Sequence, residues 1–480
     1  MLRSPATTFD FLEYLSLVDP KRIALLTPEE SFSSEQFHAD AKRFSTALAE
    51  HGVLRGHIVL VSHPHIYVHW QLLLACENIG AISVSYPAHA AIDSSRVLAH
   101  TNYIFSEDPP PAGADQAIYI RLDQRWLQAV FRKNLSDLGN HPRIVLGMAE
   151  PQRITHSSGT TGGRKAMLLH RGEQEAKLMY YAQSADYSKD ERFFLSMPFS
   201  VNSAYLRATL CLRCGALVVV GPLLWAIRDH SITYFEVLPA KLEKVLAELP
   251  DDFVKPADLN VKVIGAPLGK QLRERTLRML CGRISCRYAT NEVWPIAIDM
   301  DECGAGTILP GVEVMIVDEF WNEQALGQAG HIAVRSATMV NGYFDDQVAT
   351  QRQFRAGWFL TGDLGRLPQP RRLMVLGRTD EILNRGGFKC FPDPIEERLK
   401  IIAGVIEAGV TSIPSGQAMD DLCVALVLET GIDYQDIRDS VGIATAGWQK
   451  IVVAIVDELP KTVNGKLSRN ILRQMFNSEL

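Results

Sequence analysis

The chain has 480 residues, of which 47% are hydrophobic and 22% charged, with a net charge of −6 and eight cysteines. That length implies two to four hydrophobic cores, and the mild acidity supplies no broad basic field for nucleic acid or an anionic membrane. Eight cysteines are too sparse for a disulfide scaffold, and no apolar run reaches membrane-spanning length, so a cytoplasmic enzyme or binding protein without nucleic-acid or membrane partners is the expectation.

In chain order, the N-terminal segment passes directly into acidic and aromatic residues (Phe9-Asp10-Phe11-Leu12-Glu13), unlike a secretory leader. Apolar residues at Phe37, Ala41, Phe44, Ala47 and Leu48 predict an amphipathic helix over 35–52, ending at His51-Gly52. Ile58–Val61 reads as a buried strand, 66–78 as a helix and 81–85 as a second strand. The alternation continues through strand 216–220, helix 240–249 and strand 261–264. Such alternation predicts doubly wound, mostly parallel sheets. After about residue 307 the period shortens, and 312–317 and 331–334 predict a small antiparallel β subdomain over about 307–376. A break near 376–380 precedes a helix at 395–403, strands at 405–407 and 422–427, and a terminal helix. The expected division is therefore 1–378 for an N-terminal α/β core and 379–480 for an α+β C-terminal domain. His63, His65 and His69 lead into a helical segment with no nearby carboxylate, and Cys211 and Cys214 lack a second CxxC pair, so structural roles fit both sets better than metal binding.

The chemistry-bearing motifs begin with Ser157-Ser158-Gly159-Thr160-Thr161-Gly162-Gly163-Arg164-Lys165. Glycines allow successive N–H groups to face one anion, while hydroxyls and a lysine add donors, which suits a polyphosphate. It is not a Walker loop, because Arg164 and Ala166 stand where that geometry needs glycine and Ser/Thr. Downstream lie Tyr288-Ala289-Thr290-Asn291-Glu292, Gly357-Trp358-Phe359-Leu360-Thr361-Gly362-Asp363, Gly377-Arg378-Thr379-Asp380 with Gly387 and Ile395-Glu396, and Leu459-Pro460-Lys461-Thr462-Val463-Asn464-Gly465-Lys466 running on to Arg469.

These five motifs, in this order, resemble the signatures of the AMP-forming acyl/aryl ligase and adenylation-domain superfamily, over a span from about residue 10 to the C-terminus. The resemblance implies ATP and Mg²⁺ as cofactors and a mobile C-terminal lid. It implies that Ser158, Gly159, Thr160, Thr161 and Gly162 hold phosphate with Lys165 assisting. Tyr288 lies beside adenine, Asn291 donates to phosphate, and Asp363 and Arg378 meet the ribose. Glu292 holds the metal, a hard cation that prefers carboxylate and phosphate oxygens together. Lys466 bridges the substrate carboxylate and the α-phosphate. Asp380 is the hinge, and Gly387 gives a phosphopantetheine arm room to reach the adenylate. Asn202, Gly265 and Ala266 are expected in the acid pocket.

The sequence departs from the pattern at Arg164, Ala166, Ala289 and Asn291. Asn202 stands where amino-acid-activating relatives carry the aspartate that pairs with the substrate ammonium, and a neutral amide cannot replace that charge. The expectation is an enzyme that activates an aryl or short acyl acid without a free α-amino group, forming acyl-AMP and pyrophosphate. The acyl group then passes to coenzyme A or to a carrier protein supplied in trans. An α- or β-amino-acid adenylating enzyme, or a nucleotide-binding relative without turnover, is the alternative.

Overall fold

The computed structural model describes residues 6–88, 95–137, 144–156, 165–184, 188–386, 388–415, 419–461 and 467–479. The predicted doubly wound architecture is present as two separate parallel sheets. In the six-stranded sheet, Ile118–Arg121, Tyr103–Ser106, Ile58–Ser62, Ile82–Ser85 and Pro151–His156 run parallel, and Ala166–His170 closes it antiparallel. The seven-stranded sheet orders Arg283–Cys286, Asn260–Val263, Tyr234–Val237, Arg192–Phe194, Leu217–Val219 and Ile23–Leu26 in parallel, with Ser31–Ser33 antiparallel at its edge.

The helix predicted over 35–52 spans Ser34–Glu50. Its start is fixed by a capping box: Ser33 Oγ accepts from the Gln36 N–H at 3.3 Å, and Gln36 Oε1 accepts from the Ser33 N–H at 2.8 Å, worth about 1 kcal/mol. It buries Phe37 and Phe44 against the helix Ile66–Ile79, where Phe37 meets the Trp70 ring edge-on at 5.1 Å. These helices, Asn202–Cys214 and both parallel sheets share one core. Continuous apolar runs such as Ile58–Val61 are what a sheet covered on both faces requires.

An eight-stranded antiparallel sheet follows, and it begins earlier than the sequence predicts, at Tyr288–Thr290 rather than near 307. Its opening hairpin hides from periodicity because Trp294–Ile298 carries Pro295 and starts on Trp294 with φ of +92°, both foreign to a regular strand. This sheet packs on the seven-stranded one through Phe194, Val261, Ile296, Ile332 and Phe359.

The smaller C-terminal domain pairs Val405–Ile413 antiparallel with Asp421–Leu428, which runs parallel to Ile451–Ile455. It has cores of its own, one around Leu399, Val410, Val424 and Val441, the other around Cys423, Leu472 and Phe476. The predicted helix at 395–403 spans Asp393–Lys400. All eight cysteines are free and five are buried, as expected of thiols without a structural or redox partner. His69 is buried and hydrogen-bonded to Ser85 at 2.8 Å, a structural histidine. No helix of the described residues is long and apolar enough to cross a membrane.

Candidate active site

The strand Pro151–His156 ends where the glycine-rich segment begins, and Ala166–His170 returns antiparallel, with His156 registered against Ala166. Ser158, Gly159, Thr160, Thr161 and Gly162 lie outside the described residues, but both feet of their loop are held. His156 Nε2 lies 3.1 Å from the Tyr86 hydroxyl, its carbonyl accepts from Asn291 Nδ2 at 3.3 Å, and the Ala166 carbonyl accepts from Phe344 N–H at 2.7 Å. Lys165, the first described residue after the loop, donates to Gln353 Oε1 at 2.5 Å, and its ammonium stands 4.7 Å from the centre of the Tyr343 ring. The Tyr343 hydroxyl in turn donates to Glu292 Oε1 at 2.9 Å. A cation, an aromatic donor and a carboxylate from three distant parts of the chain therefore form one continuous chain of contacts.

Burial raises the Glu292 carboxyl above the usual carboxylate range, while its hydrogen bonds and the Lys165 and Arg378 charges pull the other way. Burial likewise lowers the Lys165 ammonium, opposed by Glu292 and Asp346. An anion beside Lys165 would favour its ammonium form, and a cation beside Glu292 would favour its carboxylate form.

A second group of residues sits on the antiparallel sheet. Asp363, in the strand Trp358–Gln369, is paired in register with Arg378 at the end of Arg372–Arg378. Asp363 Oδ2 accepts from the Tyr288 hydroxyl at 2.5 Å, and Oδ1 lies 3.5 Å from the Arg378 guanidinium. Burial, then the Asp363 charge, pushes the Tyr288 phenol well up, so it stays a donor. Gly362 has φ of +79°, and a Cβ there would sit 3.4 Å from the Arg378 nitrogens. Glycine is required at this turn both for its backbone and for the room it leaves the guanidinium. Arg378 also donates to Asp380 Oδ1 at 3.2 Å. Its charge acts on both Glu292 and Lys165, and the run Tyr288–Glu292 physically joins the two groups. Asp363 and Arg378 are thus joined through Tyr288–Glu292 to a buried carboxylate and a lysine.

The AMP-binding enzyme family matches residues 16–344. The chain belongs to that family. It is 25% identical to the indoleacetate–CoA ligase of Aromatoleum aromaticum over 95% of this chain and 96% of that one. Its fold superposes on ATP-bound MatB from Rhodopseudomonas palustris with a TM-score of 0.84 at 21% identity, covering 98% of each chain. It superposes on the anthranilate–CoA ligase AuaEII in complex with anthranoyl-AMP with a TM-score of 0.85 at 19% identity, over 100% of this chain and 99% of that one. The protein is an ATP-dependent, AMP-forming acid–thiol ligase.

In this AMP-binding enzyme, two further expected residues, Lys466 and Gly387, lie outside the described residues. The stem of the Lys466 loop is described. Lys461 and Leu467 form an antiparallel bridge, Ser468 N–H donates to the Pro460 carbonyl at 2.8 Å, and Lys461 Nζ pairs with Glu407 at 2.7 Å. Arg469, closing the same motif, is nearly buried among Glu381 at 3.1 Å, Asp393 at 2.7 Å and Glu396. Motif membership there reflects anchoring as much as chemistry. Asn202 opens the helix Asn202–Cys214 and is buried. Its Nδ2 donates to Gln174 at 3.4 Å, and its Oδ1 has no hydrogen-bond partner. Gly265, with φ of +82°, and Ala266 follow the strand Asn260–Val263 at the carboxyl end of the parallel sheet, where ligands of such sheets bind. Sequence reasoning missed Tyr343 and Gln353. Their only signal was Asn341-Gly342-Tyr343, which carries no charge and no recognisable spacing.

Proposed function

We propose that this enzyme activates a small aryl or short-chain carboxylic acid with ATP and transfers the acyl group to the thiol of coenzyme A. In the first half-reaction a carboxylate oxygen attacks the α-phosphorus, the bond to the β-phosphate oxygen breaks, and pyrophosphate leaves. In the second, the thiol sulfur attacks the acyl carbon, its proton passes to solvent and AMP leaves. The contact chain Lys165–Tyr343–Glu292, next to Asp363 and Arg378, carries this reading. One end suits phosphates, the other a ribose diol. The near full-length match to a CoA ligase supports coenzyme A as acceptor.

Asp363 accepts the ribose hydroxyls in this scheme, with Arg378 beside it. Lys165 and the 158–162 loop grip the departing pyrophosphate. Asn291 steadies His156 at the loop's foot rather than donating to phosphate itself. The site fits Mg²⁺ held by one carboxylate and phosphate oxygens: Glu292 is a buried carboxylate with no directly paired cation among the described residues. One carboxylate with phosphate oxygens is the usual Mg²⁺ arrangement. The ion supplies neutralisation of charge on the phosphates. Lys466, on its pinned loop, meets the reacting carboxylate, and residues 379–480 rotate about Asp380 between half-reactions. The neutral Asn202 disfavours acids with a free α-ammonium.

An ATP–pyrophosphate exchange panel of carboxylic acids, followed by addition of coenzyme A or a phosphopantetheinylated carrier protein, tests this. Acid-dependent exchange, AMP release and an acyl-CoA product are expected. Formation of ADP, or acylation of the carrier alone, overturns it.

A further inference from the structure

Three parallel strands end beside Gly265, Ala266 and Tyr288, and one face of them carries charge in place of the apolar residues expected under covering helices. On Tyr234–Val237, Tyr234 and Glu236 point to this face. Lys262, in register with Glu236, lies beside it on Asn260–Val263, and Arg287 follows Arg283–Cys286 immediately before Tyr288. The opposite face, with Phe235, Val261 and Val263, is ordinary apolar core.

Arg207, on the helix that Asn202 opens, enters the charged face. Its Nε lies 3.2 Å from Glu236 Oε1, and its guanidinium stacks 3.3 Å from the centre of the Tyr181 ring. Tyr234 donates to the same Glu236 oxygen at 2.6 Å. Arg207 and Glu236 are both essentially fully buried. Burial alone would raise the Glu236 carboxyl, but Arg207 and Arg287 hold it below the usual range, so it is ionised.

The charges do not balance. Lys262 is only 7% exposed and makes no hydrogen bond or ion pair among the described residues, its ammonium resting 4.2 Å from the centre of the Tyr234 ring. Arg287 is half-buried 5.9 Å from the Tyr181 ring centre, also without a hydrogen-bond partner among the described residues. Burial, reinforced by repulsion from Arg207 and Arg287, pushes the Lys262 ammonium down to about 6. Arg207, Lys262 and Arg287 therefore face the Glu236 carboxylate, already engaged by Arg207, with Glu191 a weaker influence on Lys262. A buried lysine without a charge partner gives up its proton, and an anion brought beside it restores the charge.

We propose that this cluster binds a second carboxylate of the acid substrate, at the end remote from the carboxyl that is adenylated, making the enzyme a dicarboxylic-acid ligase in which Lys262 and Arg287 determine specificity. This rests on the acid–CoA ligase reading above and names the acid's class. The second carboxylate supplies the missing anion and returns Lys262 to its charged form. Tyr181 packs edge-on against Trp294 at 5.2 Å, two residues after Glu292, which links the cluster to the adenylation site of the reading above.

The test compares glutarate, adipate and isophthalate with their monoamides in ATP–pyrophosphate exchange, using the full-length enzyme. At least one diacid is expected to exceed its monoamide about tenfold or more in kcat/KM, roughly the discrimination a charge-assisted hydrogen bond gives. The diacid-to-monoamide ratio should fall toward one in Lys262→Met and Arg287→Met, and recover in Lys262→Arg. Lys262→Met should melt no lower than the parent, since it removes an unpaired buried ammonium, so a lost ratio cannot be laid to misfolding. Equal rates for diacids and monoamides overturn the dicarboxylate subsite and leave the ligase reading standing, as does a ratio untouched by both substitutions. Absence of exchange with every acid overturns both.

Discussion

Tyr343 shows how a single hydroxyl can govern a buried carboxylate. Burial already pushes Glu292 up, and the Tyr343 hydrogen bond opposes that. Removing the donor raises the carboxyl further, so more acid conditions are no longer needed to protonate it. Tyr343→Phe is therefore expected to move the acidic limb of the adenylation pH profile to higher pH by about one to two units, the equivalent of a hydrogen bond to a charged group. An unmoved limb in kcat/KM for ATP would remove Tyr343 from the site. Asp363→Ala should lower kcat/KM for ATP by roughly a hundredfold or more, the cost of losing a buried charged acceptor. An equal loss for an analogue lacking the ribose hydroxyls would show that Asp363 acts elsewhere. His69 carries a different pH signature. It is buried, and its pKa is lowered to about 3 by burial first. Below about 6.5 the unfolded chain gains a proton that the folded chain refuses, so folded stability is present above that value. It is lost on acidification at up to about 1.4 kcal/mol per pH unit until about 3. His69→Gln should flatten the fall in unfolding midpoint between pH 7 and pH 5.

At the scale of elements, Arg469 ties the terminal helix Arg469–Glu479 to the turn Thr379–Glu381 and the helix Asp393–Lys400. Breaking such a buried pairing costs about 3–5 kcal/mol, because the carboxylates stay behind unpaired. Arg469→Met should make the C-terminal domain sensitive to limited proteolysis while the larger domain resists; uniform resistance would argue that the anchoring lies elsewhere. The elements also show where sequence was legible. Helix Ser34–Glu50 was readable because its apolar stripe and Ser33 cap are local signals. Asp363, Arg378 and Glu292 stand out as candidates in the sequence because their motifs are contiguous. The antiparallel sheet's true start was hidden by Pro295 and the left-handed Trp294. Tyr343 and the charged face around Lys262 were hidden for another reason: their meaning comes from strand register and tertiary packing, and no short window of sequence contains either.

At the scale of the molecule, Arg378 donates to Asp380 two residues further on, at the proposed hinge. If residues 379–480 rotate there, fixing the backbone should separate the half-reactions. Asp380→Pro is expected to leave pyrophosphate exchange largely intact and to slow acyl-CoA formation; parallel loss of both, measured on one preparation, would exclude a hinge at this residue. The architecture around the phosphate loop has a consequence for nucleotide affinity. In folds where such a loop runs into a helix, the aligned peptide dipoles add a fixed attraction for anions. Here the chain leaves from one strand and comes back as another, and strands contribute little net dipole. The hold on ATP must then come largely from discrete donors and side-chain cations such as Lys165, whose attraction fades as salt screens it. Ionic strength becomes a control on nucleotide capture and pyrophosphate escape, with the same arch that admits one polyphosphate able to let the other go.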